Sequence, residues 1–400
     1  MALDRNLKLR TLTVFLTALL NAAVLPNMTI YYSHYFGAAA AGFLLIIVSI
    51  ASFIAGLYGG HLSDAHGRKP IMLAGSTLLI VGYLIAALVN SPMGTNPVFA
   101  FVGFLLARVG GSLSDPAEQA MMIDASTPQN RRFVYAMLYW VINISVMLGA
   151  AIGGWFFRDY LFELLLAMAV IAVININIIR FGMRETFQSQ QKVSGSVWQA
   201  VKVYGQVFAD KRYVLFLGGS LLASIVTNQP NFYLAVHLGR DFNATHLFGI
   251  ALYGQRMLSV VTIINTVMII ILMALFTRLT SKWALGVAFA VGVGLQTVGF
   301  AMSFEVNTFW PLALAAVILT FGEMISVPSS QTLRAALMDE QKIGAYSGGW
   351  AAVNPLASTL SGVTVSISPL LGNNGMAALM LILGAAGIAL VAKSARGVQA

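Results

Sequence analysis

Ionisable residues stand where the chain is otherwise apolar: Arg108, Asp115 and Glu118 in LLARVGGSLSDPAEQAMMIDA, Arg256 in YGQRML, and Glu323 in VILTFGEMISVP, with Asp124 near the end of the first stretch. A charged side chain at the centre of a bilayer costs about 2.5 to 3.5 kcal/mol on insertion scales, so each needs a partner, water or a function. Arg108 and Asp115 are two helical turns apart and share a face, about 10 Å apart along the axis. Glu118 follows one turn later, and Pro116 between the two acids frees a backbone carbonyl. Two carboxylates close together in low dielectric tend to hold a proton, because like charge and desolvation both disfavour ionisation. This predicts proton coupling by Asp115, Glu118 and Glu323, with Arg108 as the neighbouring cation. The competing reading of the first group is a structural Arg108 to Asp115 bridge that fixes the helix; for Glu323 it is helix packing.

The surroundings of these residues say what must position them. Of 400 residues, 58% are hydrophobic and 9% charged, and the mean hydropathy is +0.81, a composition of integral membrane proteins. The net charge of +9 lies in short loops between apolar runs and forms no stripe beside exposed aromatics, which excludes nucleic acid as a partner. The chain has no cysteine, so thiolate metal sites and cysteine nucleophiles are excluded. It contains no GxxxxGK[ST] phosphate loop, no HExxH and no GxSxG. His61 and His66 lie in a loop, while His34, His237 and His246 lie near span ends and read as loop or interfacial residues. Neither an enzyme nor a cofactor is expected, beyond protons as a coupling ion.

A hydrocarbon core about 30 Å thick requires about 20 helical residues. Apolar segments of that size fall near 10–33, 40–62, 70–90, 98–123, 131–156, 160–182, 213–237, 248–276, 283–304, 309–330, 345–369 and 375–393. The fold class predicted is all-α integral membrane, with twelve transmembrane helices. Basic residues collect in one set of loops, beginning with Arg5, Lys8 and Arg10; only Arg158 and Arg240 fall on the opposite side. By the positive-inside rule both termini are cytoplasmic.

The longest polar connection, Met183 to Arg212, divides the spans into two sets of six: residues 1–182, a cytoplasmic linker over 183–212, and residues 213–400. Its VWQAVKVYGQVF portion predicts an amphipathic helix on the cytoplasmic membrane face. Two halves suggest a duplication, and Pro26, Asn27 and His34 in span one reappear as Pro230, Asn231 and His237 in span seven.

The motif GHLSDAHGRKPIM, from Gly60 to Met72, lies between spans two and three. Gly60 and Gly67 permit close packing or left-handed backbone. Asp64 can accept hydrogen bonds from a helix N-terminus, and Arg68 and Lys69 suit the lipid face. It resembles the GxLaDrxGRkxxl signature of the major facilitator superfamily, including its drug/proton antiporters, with Ala65 where that signature has arginine. The pieces MTIYY, MMIDAS, YGQRML, GEMISVPSSQTL and KIGAYSG look like those of a lactococcal multidrug/proton antiporter of that branch.

The resemblance implies the major facilitator fold, two six-helix bundles that open a central cavity alternately to each side. It implies gating by Gly60, Asp64, Gly67, Arg68, Lys69, Asp124 and Arg131, with Asp64 latching towards GAYSGG at Gly344–Gly349 and Asp124 joining Asp64, Arg131 and Arg132 in a charge network or standing solvated. Arg108 matches the basic residue of the RxxqG motif. NISVMLGAAIGGW in span five resembles a degraded GxxxGPxxGG antiporter motif, though small residues so spaced also serve helix packing. Spans one, four, seven and ten would line the cavity.

The substrate-binding candidates are Tyr31, Tyr32, Tyr139, Trp140, Asn143, Gln229, Asn231, Phe232 and Tyr233, whose aromatic and amide groups suit flat or cationic compounds. The aspartates that the resemblance would place before Tyr139 and in span seven are Leu138 and Asn231 here, while Asp115 and Glu118 are additional acids. The function expected is proton-coupled efflux of amphipathic, often cationic drugs from a monomer in the plasma membrane. The alternatives are a proton-linked transporter of a sugar or other metabolite, and a non-transporting membrane sensor.

Overall fold

In lipid every backbone amide must find its partner within the chain, so apolar segments of this length can only be helices. The computed structural model describes residues 4–127, 130–187, 209–247, 249–339 and 343–396. The first unit, Met1–Gly37 with Leu44–Gln190, contains α1 (Arg5–Phe36), most of α2 (Ala38–His66), α3 (Arg68–Leu88), α4 (Pro97–Asp124), α5 (Arg131–Phe156) and α6 (Leu161–Asn177), which ends in a π turn, Ile178–Gly182. The second unit, Ala38–Phe43 with Gln191–Ala400, contains α7 (Lys211–Thr227), α8 (Tyr233–Asp241), α9 (Gly254–Thr280), α10 (Leu285–Glu305), α11 (Phe309–Leu337), α12 (Ile343–Ala351) and α13 (Val353–Ser394). Two short hairpins, Asn90–Ser91 with Gly94–Thr95 and Thr245–Leu247 with Ile250–Leu252, close loops.

Local chemistry sets the ends. Asp4, Asn96 and Asp210 accept hydrogen bonds from the first amides of α1, α4 and α7, and Pro97 occupies the first turn of α4, where its missing N–H is harmless. Because Asp4 caps α1, that helix begins before the expected 10–33, and Arg10 lies inside it rather than in a loop. The α2–α3 junction turns at Gly67, whose φ of 104° disfavours a side chain.

Among the described residues, ten helices are long and apolar enough to cross a membrane. One segment departs from the continuous spans expected, and another is divided where two spans were expected. Span seven is α7, a 3₁₀ turn over Gln229–Asn231 and α8, because Pro230 cannot continue a helical hydrogen-bond ladder. The equivalent Pro26 sits inside an unbroken α1. The last apolar stretch, Tyr346–Ser394, is interrupted at Gly372 (φ 62°, ψ −175°), between the segments read as 345–369 and 375–393.

Each unit repeats one packing scheme. In the first, glycines bring α3 onto α4: a Cβ on Gly75 would stand 2.4 Å from the Gly110 carbonyl oxygen. In the second, α10 and α11 meet the same way, with a Cβ on Gly322 2.4 Å from the Gly292 carbonyl oxygen. The first helix of each unit is tied to its last. Asn6 exchanges two 3.0 Å hydrogen bonds with the Arg184 backbone, and Arg212 donates to the Ser394 carbonyl at 3.2 and 3.3 Å. Gly149 and Gly153 of the span-five motif let α5 approach α1, since a Cβ on either would lie within 2.5 Å of an α1 carbonyl oxygen. Packing is the role this structure gives that motif.

Candidate functional site

Arg10 reorganises the cluster on α4. It is 4% exposed and pairs with the carboxylate of Glu118, itself 6% exposed. Its Nη1 donates to Thr13 Oγ1 at 2.7 Å, while its buried Nε has no partner. Asp115, one turn before Glu118, is exposed and makes no ion pair or hydrogen bond among the described residues. Glu118, Arg108 and Arg10 all act on it electrostatically. The two acids are therefore unlike: Glu118 is committed to a buried guanidinium, and Asp115 is left open. The alternative Arg108 to Asp115 bridge is absent, and Arg108 stands half-buried near Tyr83 and Asp115.

Among the described residues, the second unit holds one acid of this kind. Glu323 on α11 is half-buried, and its Oε2 accepts a 2.7 Å hydrogen bond from Asn265 Nδ2 on α9. That amide also donates to Thr320 Oγ1 at 3.2 Å. Because the Thr320 hydroxyl donates in turn to the Ala316 carbonyl at 2.6 Å, it can only accept from Asn265, which fixes the amide with its NH₂ towards Glu323. Among the described residues no cation lies within ion-pair distance of Glu323.

The GHLSDAHGRKPIM segment forms a network around Arg68. Its Nη1 reaches Asp64 Oδ1 at 2.5 Å and Ser63 Oγ at 3.2 Å, its Nε reaches Asp124 Oδ2 at 3.3 Å, and its guanidinium stands 5.3 Å over the Phe187 ring. Asp124 thus joins Asp64 through Arg68; the side chains of Arg131 and Arg132 lie outside the described residues, as do the 197–208 segment and Lys342. Gly60 lies in α2 beside Pro116. Lys69 differs from expectation: instead of reaching for lipid headgroups, its Nζ caps the end of α6 through the Arg180 and Met183 carbonyls at 2.7 and 2.8 Å.

The carboxylate that receives a helix N-terminus is Glu185, not Asp64. It accepts from the Arg68 and Lys69 amides at 3.1 and 2.9 Å and from those of Thr186 and Phe187 at 2.9 Å. A Cβ on Gly67 would stand 2.8 Å from its Oε2. Burial, the largest influence, pushes the Glu185 carboxyl up, but these four donors together overcome it and hold it below the usual carboxylate range. A carboxyl lowered by folding stabilises the fold above its unfolded value, and the contribution disappears as pH falls through the lowered one. Acidification below the usual carboxylate range is therefore expected to loosen the α3–α6 junction in the wild type and not in Glu185→Gln. Limited proteolysis near Arg184 as a function of pH checks this.

The substrate-binding candidates divide. Tyr31 and Tyr32 are buried in the packing of α1 on α4, edge-on to Phe104 and Phe101, and the Tyr31 hydroxyl bonds Asn90 Oδ1 at 2.8 Å. Gln229 is fully buried and spans the break after α7, donating to the Ile225 carbonyl at 2.8 Å and accepting from the Tyr233 amide at 3.3 Å. Phe232 and Tyr233 are buried too, and the Tyr233 hydroxyl bonds Asn373 at 2.8 Å. All five are buried in this structure, and the side-chain polar atoms of Tyr31, Gln229 and Tyr233 are hydrogen-bonded. Tyr139, Trp140 and Asn231 are exposed, and half-buried Asn143 donates to the Tyr139 carbonyl one turn back.

A sequence profile described as Major Facilitator Superfamily matches residues 11–362. The chain belongs to the major facilitator superfamily. It is similar to a Na(+), Li(+), K(+)/H(+) antiporter of Planococcus maritimus, 30% identical over 86% of this chain and 84% of that protein. It is also similar to the multidrug resistance protein MdtH of Blochmanniella floridana, 23% identical over 85% of this chain and 80% of that protein. Among solved structures, a peptide transporter POT in complex with sulfate superposes with a TM-score of 0.75 at 16% identity, covering 98% of this chain and 95% of the other. The nucleoside transporter NupG gives 0.74 at 16% identity, covering 98% and 99%. At these identities the structures show a shared fold alone.

Membership of the superfamily makes the chain a multi-pass membrane transporter rather than an enzyme. Within that frame, sequence reasoning missed Arg10, Asn265, Glu185 and His237. Arg10 read as one of three bases before the first span, and its place inside α1 followed from the Asp4 cap. Glu185 and Asn265 carried no signal of these contacts, since the helix amide of Lys69 and the carboxylate of Glu323 that they meet are 116 and 58 residues away in sequence. His237, expected at the interface, is fully buried.

Proposed function

We propose that this chain is a proton-coupled antiporter that expels amphipathic, cationic compounds by alternating access. The observation that carries the reading is a pair of acids in apolar helices with no cation bonded to them, Asp115 on α4 and Glu323 on α11. An acid that a guanidinium does not neutralise must be wetted, protonated or occupied by a cationic ligand. Asp115 and Glu323 are then the proton carriers, Arg108 tunes Asp115, and Glu118 with Arg10 holds α4 against α1.

Gly60, Asp64, Gly67, Arg68, Lys69, Asp124 and Arg131 gate the pathway, and Tyr139, Trp140, Asn143 and Asn231 offer substrate contacts. Twelve crossings in a plasma membrane, with both termini cytoplasmic, complete the proposal. The multidrug resistance name of one relative supports the drug reading.

A second reading, exchange of Na⁺, Li⁺ or K⁺ for protons, is favoured by the name of the 30% identical relative. Proteoliposomes carrying an imposed pH gradient separate the two. Uptake of a cationic dye driven by the gradient, with no response to alkali chlorides, supports drug antiport. Collapse of the gradient on adding an alkali chloride supports cation exchange, and movement of a sugar alone removes both.

A further inference from the structure

One end of the second unit, where α8, the α10–α11 turn and the bend of α13 meet, holds a buried titratable group that this scheme leaves unused. The His237 side chain is 0% exposed. Its Nδ1 stands 3.1 Å from Asp241 Oδ2 and its Nε2 stands 3.4 Å from the Val306 carbonyl oxygen. Arg240 grips the same carboxylate, Nε to Oδ1 and Nη2 to Oδ2, both at 2.7 Å. Hydrogen bonding from Arg240, against opposing burial and with help from His237, holds the Asp241 carboxyl below its usual range. Both neighbours of the ring are therefore acceptors only, a carboxylate and a backbone carbonyl. A neutral imidazole has one donor nitrogen and one acceptor nitrogen, so one of the two contacts would set lone pair against lone pair; an imidazolium donates at both.

We propose that His237 is a proton-binding site which, when charged, clasps α8 to the α10–α11 turn. The charged and titratable groups around it are few. On its own helix are Asp241, Arg240 and Tyr233, whose ring centroid is 6.2 Å away. From α10 come the Phe304 ring at 6.5 Å and Glu305, which acts electrostatically on Tyr233. From α13 comes Asn373, bonded by the Tyr233 hydroxyl at 2.8 Å and by Arg240 at 3.4 Å. Arg240 disfavours a second positive charge, while Asp241 and Glu305 favour it. The Asn243 amide donates to the Asn307 carbonyl at 2.9 Å, so the loop after α8 closes on the same turn. Glu323 lies about four helical turns into α11, so this site is separate from the proposed carrier. Loss of the ring proton as pH rises removes one of the two contacts and frees the end of α8.

The full-length protein in micelles, labelled with ¹⁵N-histidine, tests this, because only five histidines contribute. The ring signal missing from His237→Gln is expected to show an imidazolium donating at both nitrogens at the acidic end of a pH series, and a neutral tautomer at its alkaline end. Amide exchange over residues 236–242, corrected for intrinsic rate, should rise about five- to tenfold when that proton is lost, and should be pH-independent in His237→Gln. Should His237→Gln fail to fold, Asp241→Asn, which replaces the carboxylate facing Nδ1 by an amide, is expected to change the same ring signal and to raise amide exchange over residues 236–242. A ring that is neutral throughout the pH series, or exchange that ignores the ring proton, overturns the proposal.

Discussion

Glu118→Gln is expected to destabilise the folded protein by about 3 to 5 kcal/mol, the range seen when one partner of a buried ion pair is removed. The substitution is nearly isosteric, so the loss would come from charge and not from a cavity. Arg10 would stay 4% exposed, with its guanidinium facing a neutral amide and its Nε already without a partner. Desolvation of an unpaired cation then opposes folding in full. Intrinsic tryptophan fluorescence of the detergent-purified protein during heating, together with the monodisperse yield, measures the effect.

Replacing both partners, Arg10→Met with Glu118→Leu, should recover most of the stability, since a well-packed apolar pair is often neutral or better than a buried ion pair. Asp115→Asn one turn away should change stability by no more than about 0.5 kcal/mol, because no bond is lost. If Glu118→Gln unfolds at the wild-type temperature, the pair is not desolvated in the folded protein and its structural assignment fails.

Asp115→Asn and Glu323→Gln are each expected to bring gradient-driven transport in proteoliposomes to the level of vesicles lacking the protein, while leaving the chain folded. The amides match the acids in shape but cannot load and release a proton at physiological pH. For Glu323 the hydrogen bond from Asn265 can persist to the amide oxygen, so loss of transport would report on the proton and not on the contact. The double variant that removes Arg10 and Glu118 provides the contrast, since it takes away an acid on the same helix but keeps Asp115. It should retain transport if Glu118 is structural. Wild-type activity in either single variant would remove that acid from the coupling mechanism.

Much of the architecture was legible in the chain. The apolar runs require helices, and Gly67, which permits left-handed backbone, stands where α2 turns into α3. Such a signal is local: a glycine acts within a turn of where it stands, so composition and spacing expose it. The GHLSDAHGRKPIM segment was recognisable for the same reason, and its Asp64 and Arg68 meet one turn apart.

The site was legible only as a set of residue types. That Asp115, Glu118 and Glu323 required explanation followed from their cost in an apolar span. Which of them is neutralised did not follow, because Arg10 is 108 residues from Glu118 and meets it only once α1 packs against α4. Lys69 and Glu185 likewise took their partners across the α3–α6 junction, and Tyr31, Tyr32, Gln229 and Tyr233 proved to be internal because neighbouring helices covered them.

The sequence by itself determined that the chain crosses a membrane, that it carries the GHLSDAHGRKPIM loop motif, and that its helices hold acids in need of a partner. The tertiary structure decided which acid has one. A side chain's cost of burial is its own property, whereas its ion pair belongs to whichever helix the fold sets beside it.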